Sequence, residues 1–306
     1  MENHTAKHFV LQLGSLVSLY LTISFLLVLL FNVINLILPD SAEGVWAIES
    51  AGSSVRLGIA MVIVFFPTYL VLTRLVNKTR RKDSAGNYFG LMKWLIYLSL
   101  LIGGGVLLGD LVAIIMSYLN GEITQRFILK AGALLIIVGL AFIYYLLDAK
   151  GYWLKNEKKS IQFGMGAIVV VLMALIFGFS NTESPAAVRE QKLDNVQITD
   201  LQNIQWQIQD YLVLNNTLPE TLDMLTNESG VQVPIAPESR PSYIYELTDK
   251  GFKLCATFAK ETLTNDLSYR ESFAKPVIET NIITNPNSWN HGVGEVCFER
   301  IVSKNI

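Results

Sequence analysis

The chain has 306 residues, 51% of them apolar, and a formal net charge of −2. Neither half is basic enough to engage nucleic acid, and this balance fits a protein that is part lipid-facing and part soluble. No Gly-rich phosphate loop, zinc-protease motif or nucleophile elbow is present in the sequence.

Five apolar runs dominate the first 180 residues: Phe9 to Leu38, Leu57 to Thr73, Trp94 to Tyr118, Ala131 to Leu147 and Ile161 to Ser180. Each is near or above the roughly 17 to 25 residues that cross a bilayer core as a helix. Only the third holds a formal charge, Asp110. A backbone inside lipid must satisfy its own hydrogen bonds, so the expected fold is an all-α bundle of five transmembrane helices. The first run follows Lys7 like a secretory signal, but it is too long and ends in Pro39-Asp40 rather than a cleavage pattern. It reads as a retained helix.

The loops set an orientation. Arg74, Lys78, Arg80, Arg81 and Lys82 follow the second run, and Lys150, Lys155, Lys158 and Lys159 follow the fourth. Pro39 to Ser54 has Asp40, Glu43 and Glu49 but no Lys or Arg, and Asn120 to Phe127 has only Arg126. Basic loops stay inside, so the chain reads as a multi-pass membrane protein. Its N-terminus is cytoplasmic and everything after Ser180 is extracytoplasmic.

Polar groups at membrane depth are costly and usually have partners. Asp110 sits toward the outer end of the third run, and Glu122, Arg126 and Lys130 follow around the short outer loop. These four read either as an ion or proton relay or as a structural cluster in which Asp110 pairs with Lys130 or Arg126; the second reading is favoured. Gly103-Gly104-Gly105 with Gly109 gives a small-xxx-small spacing for close helix packing. Asn32 and Asn35 suit interhelical hydrogen bonds.

Composition changes after Ser180. The expected division is 1–151 for a four-helix transmembrane domain, 152–180 for the fifth helix and its flank, 181–187 for a linker, and 188–306 for a soluble domain. Ile198, Leu201, Ile204, Ile208, Tyr211 and Leu212 recur at helical spacing, with Asp194 and Asp200 in the early turns where the helix dipole favours negative charge. Pro219 suits the start of a second helix, Glu220 to Leu225. Tyr243 to Leu247 and Phe252 to Phe258 around Thr248-Asp249-Lys250-Gly251 predict a hairpin, and Val296-Cys297-Phe298 a further strand. The soluble part is thus a small α+β domain, a long helix followed by an antiparallel sheet.

Cys255 and Cys297 are the only cysteines. In an oxidising compartment they favour a disulfide, worth roughly 2 to 5 kcal/mol to a small domain, over two buried thiols. Trp289 and His291 mark a candidate surface contact loop, where an aromatic, an imidazole and Gly292 fall together. No cofactor or metal is expected, since His4 and His8 lie across the membrane from His291.

Two resemblances add to this. Phe31-Asn32-Val33-Ile34-Asn35 leading to Pro39-Asp40, Gly121 to Phe127 with Lys130, and Tyr144-Tyr145-Leu146-Leu147-Asp148 resemble an uncharacterised bacterial four-helix membrane domain of unknown function. That implies architecture and a bacterial setting but no activity. Asp200-Leu201, Ile204, Ile208, Tyr211, Asn215, Leu218-Pro219, Leu222 and Leu225 resemble the helix and turn of type IV pilin-like and type II secretion pseudopilin-like globular domains. The departure is upstream: Ser160 to Ala167 lacks the prepilin cleavage pattern and its following Glu, and four other crossings precede it. The resemblance therefore implies a displayed domain, not a filament subunit.

The expected protein is a non-enzymatic envelope protein that displays a binding or structural module. Its expected partners are membrane lipid and either an envelope protein or a second copy of itself, with no nucleic acid. The alternative is a small-molecule transporter or ligand sensor using the bundle.

Overall fold

The computed structural model describes residues 2–39, 45–82, 89–121, 123–229, 232–262 and 288–302. It divides into two compact units, Met1–Thr182 and Glu183–Ile306.

The first unit is entirely helical among its described residues: α1 Glu2–Ile37, α2 Val45–Lys82, α3 Phe89–Leu119, α4 Gln125–Ala149, α5 Tyr152–Lys155 and α6 Glu157–Ser180. Five of these helices, all but the single turn of α5, are long and apolar enough to cross a membrane. One core joins Leu26, Leu29 and Val33 of α1 to Val55, Ile59, Val62 and Phe66 of α2 and to Val171 and Ala174 of α6. Small residues set the spacing there. A Cβ on Gly58 would stand 2.8 Å from Cβ of Leu29, so α1 and α2 approach closer than any side chain at that position allows. A second core gathers Leu16 and Leu19, Leu95 and Ile96, Tyr144 and Tyr145, and Trp153. The outward faces stay apolar: Leu101, Leu108, Leu111 and Val112 of α3 are all more than half exposed.

Helix α2 corrects one expectation. The basic stretch from Arg74 to Lys82 is not a loop; it continues α2 for over two turns past its apolar run. The extension is held because Asn77 and Arg80 are buried against α4, as described below. The next turn is abrupt. Gly151 takes φ 70°, a left-handed conformation that lets the chain leave α4 and start α5 at once.

The second unit opens with α7, Pro185–Asn215. Ser184 caps it by accepting from the Ala187 amide, Pro185 begins the first turn, and Asn216 ends it at φ 58°. The helix thus starts well before Asp194, expected in its early turns, and inside the stretch expected as linker, because the capping signal lies upstream of the apolar face. A short helix α8, Asp223–Ser229, follows, a few residues later than expected. The sheet is antiparallel in the order β1 Ile244–Thr248, β2 Gly251–Phe258, β3 Gly294–Ile301. Leu201, Ile204, Ile208 and Tyr211 of α7 pack on Phe252, Leu254, Ala256, Phe258 and Phe298, with Leu225 closing one edge. The helical spacing of the sequence and the alternation of the hairpin therefore meet in one core.

Candidate functional site

The densest polar and aromatic constellation in the first unit lies where the ends of α2 and α4 meet α5 and the start of α6. Arg80 Nη1 donates to both Asp148 oxygens, at 2.8 and 2.9 Å, with the two side chains only 4% and 5% exposed. Asn77 Nδ2 donates to the Tyr144 hydroxyl at 3.3 Å. The indole of Trp153 donates to the Tyr144 carbonyl at 2.9 Å and stacks on the Tyr144 ring at 5.0 Å. Phe163 of α6 closes the aromatic cluster, 5.2 Å from Tyr144. At the rim, Arg81 Nη2 donates to Glu157 at 3.0 Å.

Beside this cluster is an open groove of about 270 Å³ between α2 and α6. Tyr69, Thr73, Arg74, Asn77 and Arg81 form its α2 wall, Tyr144 its floor, and the first three turns of α6 the opposite wall. Its chemistry is divided. The end near Arg74, Arg81, Asn77 and Ser160 is polar, and the wall of Ile161, Met165, Ala167 and Ile168 is apolar.

The polar cluster expected around the outer loop is arranged differently. Arg126 donates to Oδ1 of Asn35 on α1 at 2.7 Å, while Oδ2 of Asp110 is buried without a hydrogen-bond partner. The pin thus runs from α4 to α1 and not to Asp110 on α3. Lys130 has a partner of its own, and Glu122 lies outside the described residues. Asn35 is an interhelical acceptor as expected, whereas Asn32 bonds back to the Val28 carbonyl of its own helix. Gly103 and Gly104 face the Phe142 ring at ordinary contact distance, and α3 runs through the glycines as unbroken helix.

In the second unit Cys255 and Cys297 form a disulfide between directly paired positions of β2 and β3. Trp289 and His291 are turned onto the sheet. The Trp289 ring lies 4.8 Å from Phe298 with the Arg300 guanidinium 4.1 Å over its face, and the His291 ring stacks on Phe258 at 3.7 Å. Burial pushes the His291 imidazole below its ordinary pKa. Both side chains pack on the sheet and remain half-buried.

Sequence reasoning missed the role of Asp194. With α7 beginning at Pro185 this residue falls in its third turn, too far along for the dipole reading, and it is 2% exposed. Its carboxylate accepts from the amides of Ala259 and Lys260, from Arg240 Nη2 at 2.8 Å and from Gln197. Asp200 likewise serves as an acceptor, taking the Tyr243 hydroxyl at 2.6 Å; burial, with that carboxylate alongside, raises the phenol's pKa.

Residues 8–145 match the family described as Domain of unknown function (DUF5671). The match covers under half of the chain and ends three residues short of Asp148. The partner of Arg80, the Trp153 turn and the α6 wall of the groove therefore lie outside it. No curated protein and no solved structure matches the chain.

Proposed function

We propose that this chain is a multi-pass plasma membrane protein of bacteria that displays its second unit outside the cytoplasm as a protein-binding or structural module, without catalytic activity of its own. The disulfide carries this reading. Cystines persist on the oxidising side of a membrane and are rare in the cytosol, and Cys255–Cys297 lies after five candidate spans. An odd number of crossings puts that side opposite the N-terminus.

Charge supports the same orientation. Arg74, Lys78, Arg80, Arg81, Lys155, Lys158 and Lys159 all belong to the ends of α2 and α6 and to α5 between them, the ends that the positive-inside tendency keeps in the cytoplasm. The apolar outer faces of α3 and α4 suit contact with lipid chains. The pilin-like reading of α7 and its following turn rests on the sequence resemblance alone, and with it goes the proposal that the partner is an envelope protein or a second copy of the chain.

Many secondary transporters place their site at interrupted helices near the midplane. Here α1, α2, α3, α4 and α6 run unbroken, and the groove lies at the basic end of α2. Crosslinking in native membranes, comparing the full chain with a form ending at Ser180, tests the module. Protein partners or self-crosslinks that depend on residues after Ser180 are expected. The same crosslinks from both forms would refute the proposal.

A further inference from the structure

We infer that the groove between α2 and α6 is a binding site for an anionic phospholipid of the cytoplasmic leaflet, with the lipid phosphate at Arg74 and one acyl chain along α6. The inference rests on the membrane insertion and orientation proposed above, but not on what the second unit binds.

The headgroup end is set by charge. The groove's ionic residues are Arg74, Arg81 and Glu157. Arg81 and Glu157 neutralise each other, and Arg74 has no acidic partner among the described residues, which leaves one guanidinium uncompensated at the mouth. Asn77 and Ser160 are already committed to Tyr144, so Arg74 is the group left to meet an anion. A guanidinium binds phosphate oxygens through paired N–H donors, and basic pockets between helices on the cytoplasmic side suit lipid headgroups.

The tail end is set by periodicity. Ile161, Met165, Ile168 and Leu172 follow one another at spacings of four, three and four along one face of α6. All four are exposed. The first three line the groove and Leu172 continues the stripe away from its basic end. Gly164 lies among them, and a Cβ added there would meet nothing within 4 Å. The groove is therefore unfilled by the protein at that point, and a side chain at Gly164 would enter it without displacing any protein atom. A free phosphate would use the Arg74 end only and leave this apolar wall uncovered, which is why the lipid is the occupant favoured.

The test uses the full chain in nanodiscs of phosphatidylcholine with a minority of phosphatidylglycerol, followed by mass measurement of the lipid retained after transfer to detergent. The wild type is expected to retain one phosphatidylglycerol with about fivefold preference over phosphatidylcholine, the effect of roughly one cationic side chain near the membrane surface. Arg74→Gln should lose the preference, and Gly164→Leu should lose the bound lipid. Lys78→Gln, an exposed cation of α2 outside the groove, and Gly166→Leu, an open position of α6 outside it, should retain both. Millimolar inorganic phosphate should not displace the lipid. Equal retention of neutral and anionic lipid, an equal loss in Lys78→Gln, a bound lipid that survives Gly164→Leu, or displacement by phosphate would each overturn the inference.

Discussion

Arg80 of α2 and Asp148 of α4 form a buried ion pair in which one guanidinium nitrogen reaches both carboxylate oxygens. Removing one partner of such a pair strands the other charge, at a cost of about 3 to 5 kcal/mol. Arg80→Gln and Asp148→Asn should each lower the thermal midpoint of the protein in detergent, and a double Arg80→Leu, Asp148→Leu exchange should recover much of the loss. A midpoint unchanged in both single variants would show that the pair does not hold the helices together.

Among the described glycines of the first unit, Gly58 stands closest to a neighbouring helix, an added Cβ there lying 2.8 Å from Cβ of Leu29. Gly58→Leu should destabilise the unit by about 1 to 3 kcal/mol through overpacking. Gly166→Ala, where a Cβ meets nothing, should be neutral or slightly stabilising because alanine favours the helix. Thermal unfolding of the two variants side by side reads the difference.

Asp194 ties α7 to the end of β2 through the amides of Ala259 and Lys260. Hydrogen bonds to a charged group contribute about 1.5 to 3 kcal/mol. Asp194→Ala should therefore weaken the second unit by at least that much, whereas Asp200→Ala, which removes the bond from Tyr243, should cost less. Urea midpoints of the full chain, followed by proteolysis of residues after Ser180, separate the two.

His291 gives the second unit a pH dependence. Its folded pKa lies below the ordinary value of 6.5 because of burial, so between the two values the unfolded chain binds more protons than the folded one. Stability then rises with pH through this interval, and is lost as pH falls below about 6.5 through the lowered folded value. His291→Phe, which keeps a ring on Phe258, should flatten that part of the profile. A profile unchanged by this substitution would contradict the assignment.

Much of this architecture is legible in the sequence where a period is long and regular. The five apolar runs become the helices α1, α2, α3, α4 and α6, and Leu201, Ile204, Ile208 and Tyr211 mark the buried face of α7 by their spacing alone. Legibility fails where a polar residue is buried by distant partners. Arg80 reads as one basic residue among five until α4 brings Asp148 beside it, 68 positions away. Asp194 reads as a helix-end charge until β2 supplies two amides from 65 and 66 positions on. Asp110 and Arg126 are near enough in sequence to invite pairing, but the turn into α4 aims Arg126 at α1 instead. The groove could not be found from either helix alone, since its polar end draws on Arg74, Asn77 and Arg81 of α2 and its apolar wall on α6.

Placement of the disulfide-bonded unit outside the cytoplasm is read from labelling of its cysteines. In intact cells whose outer barrier has been opened, reductant followed by a membrane-impermeant maleimide should label Cys297, the exposed member of the only two cysteines of the chain, and without reductant neither should react. Labelling in intact cells that does not increase after lysis is the expected result. Labelling that appears only after lysis, or free thiols without reductant, would contradict it.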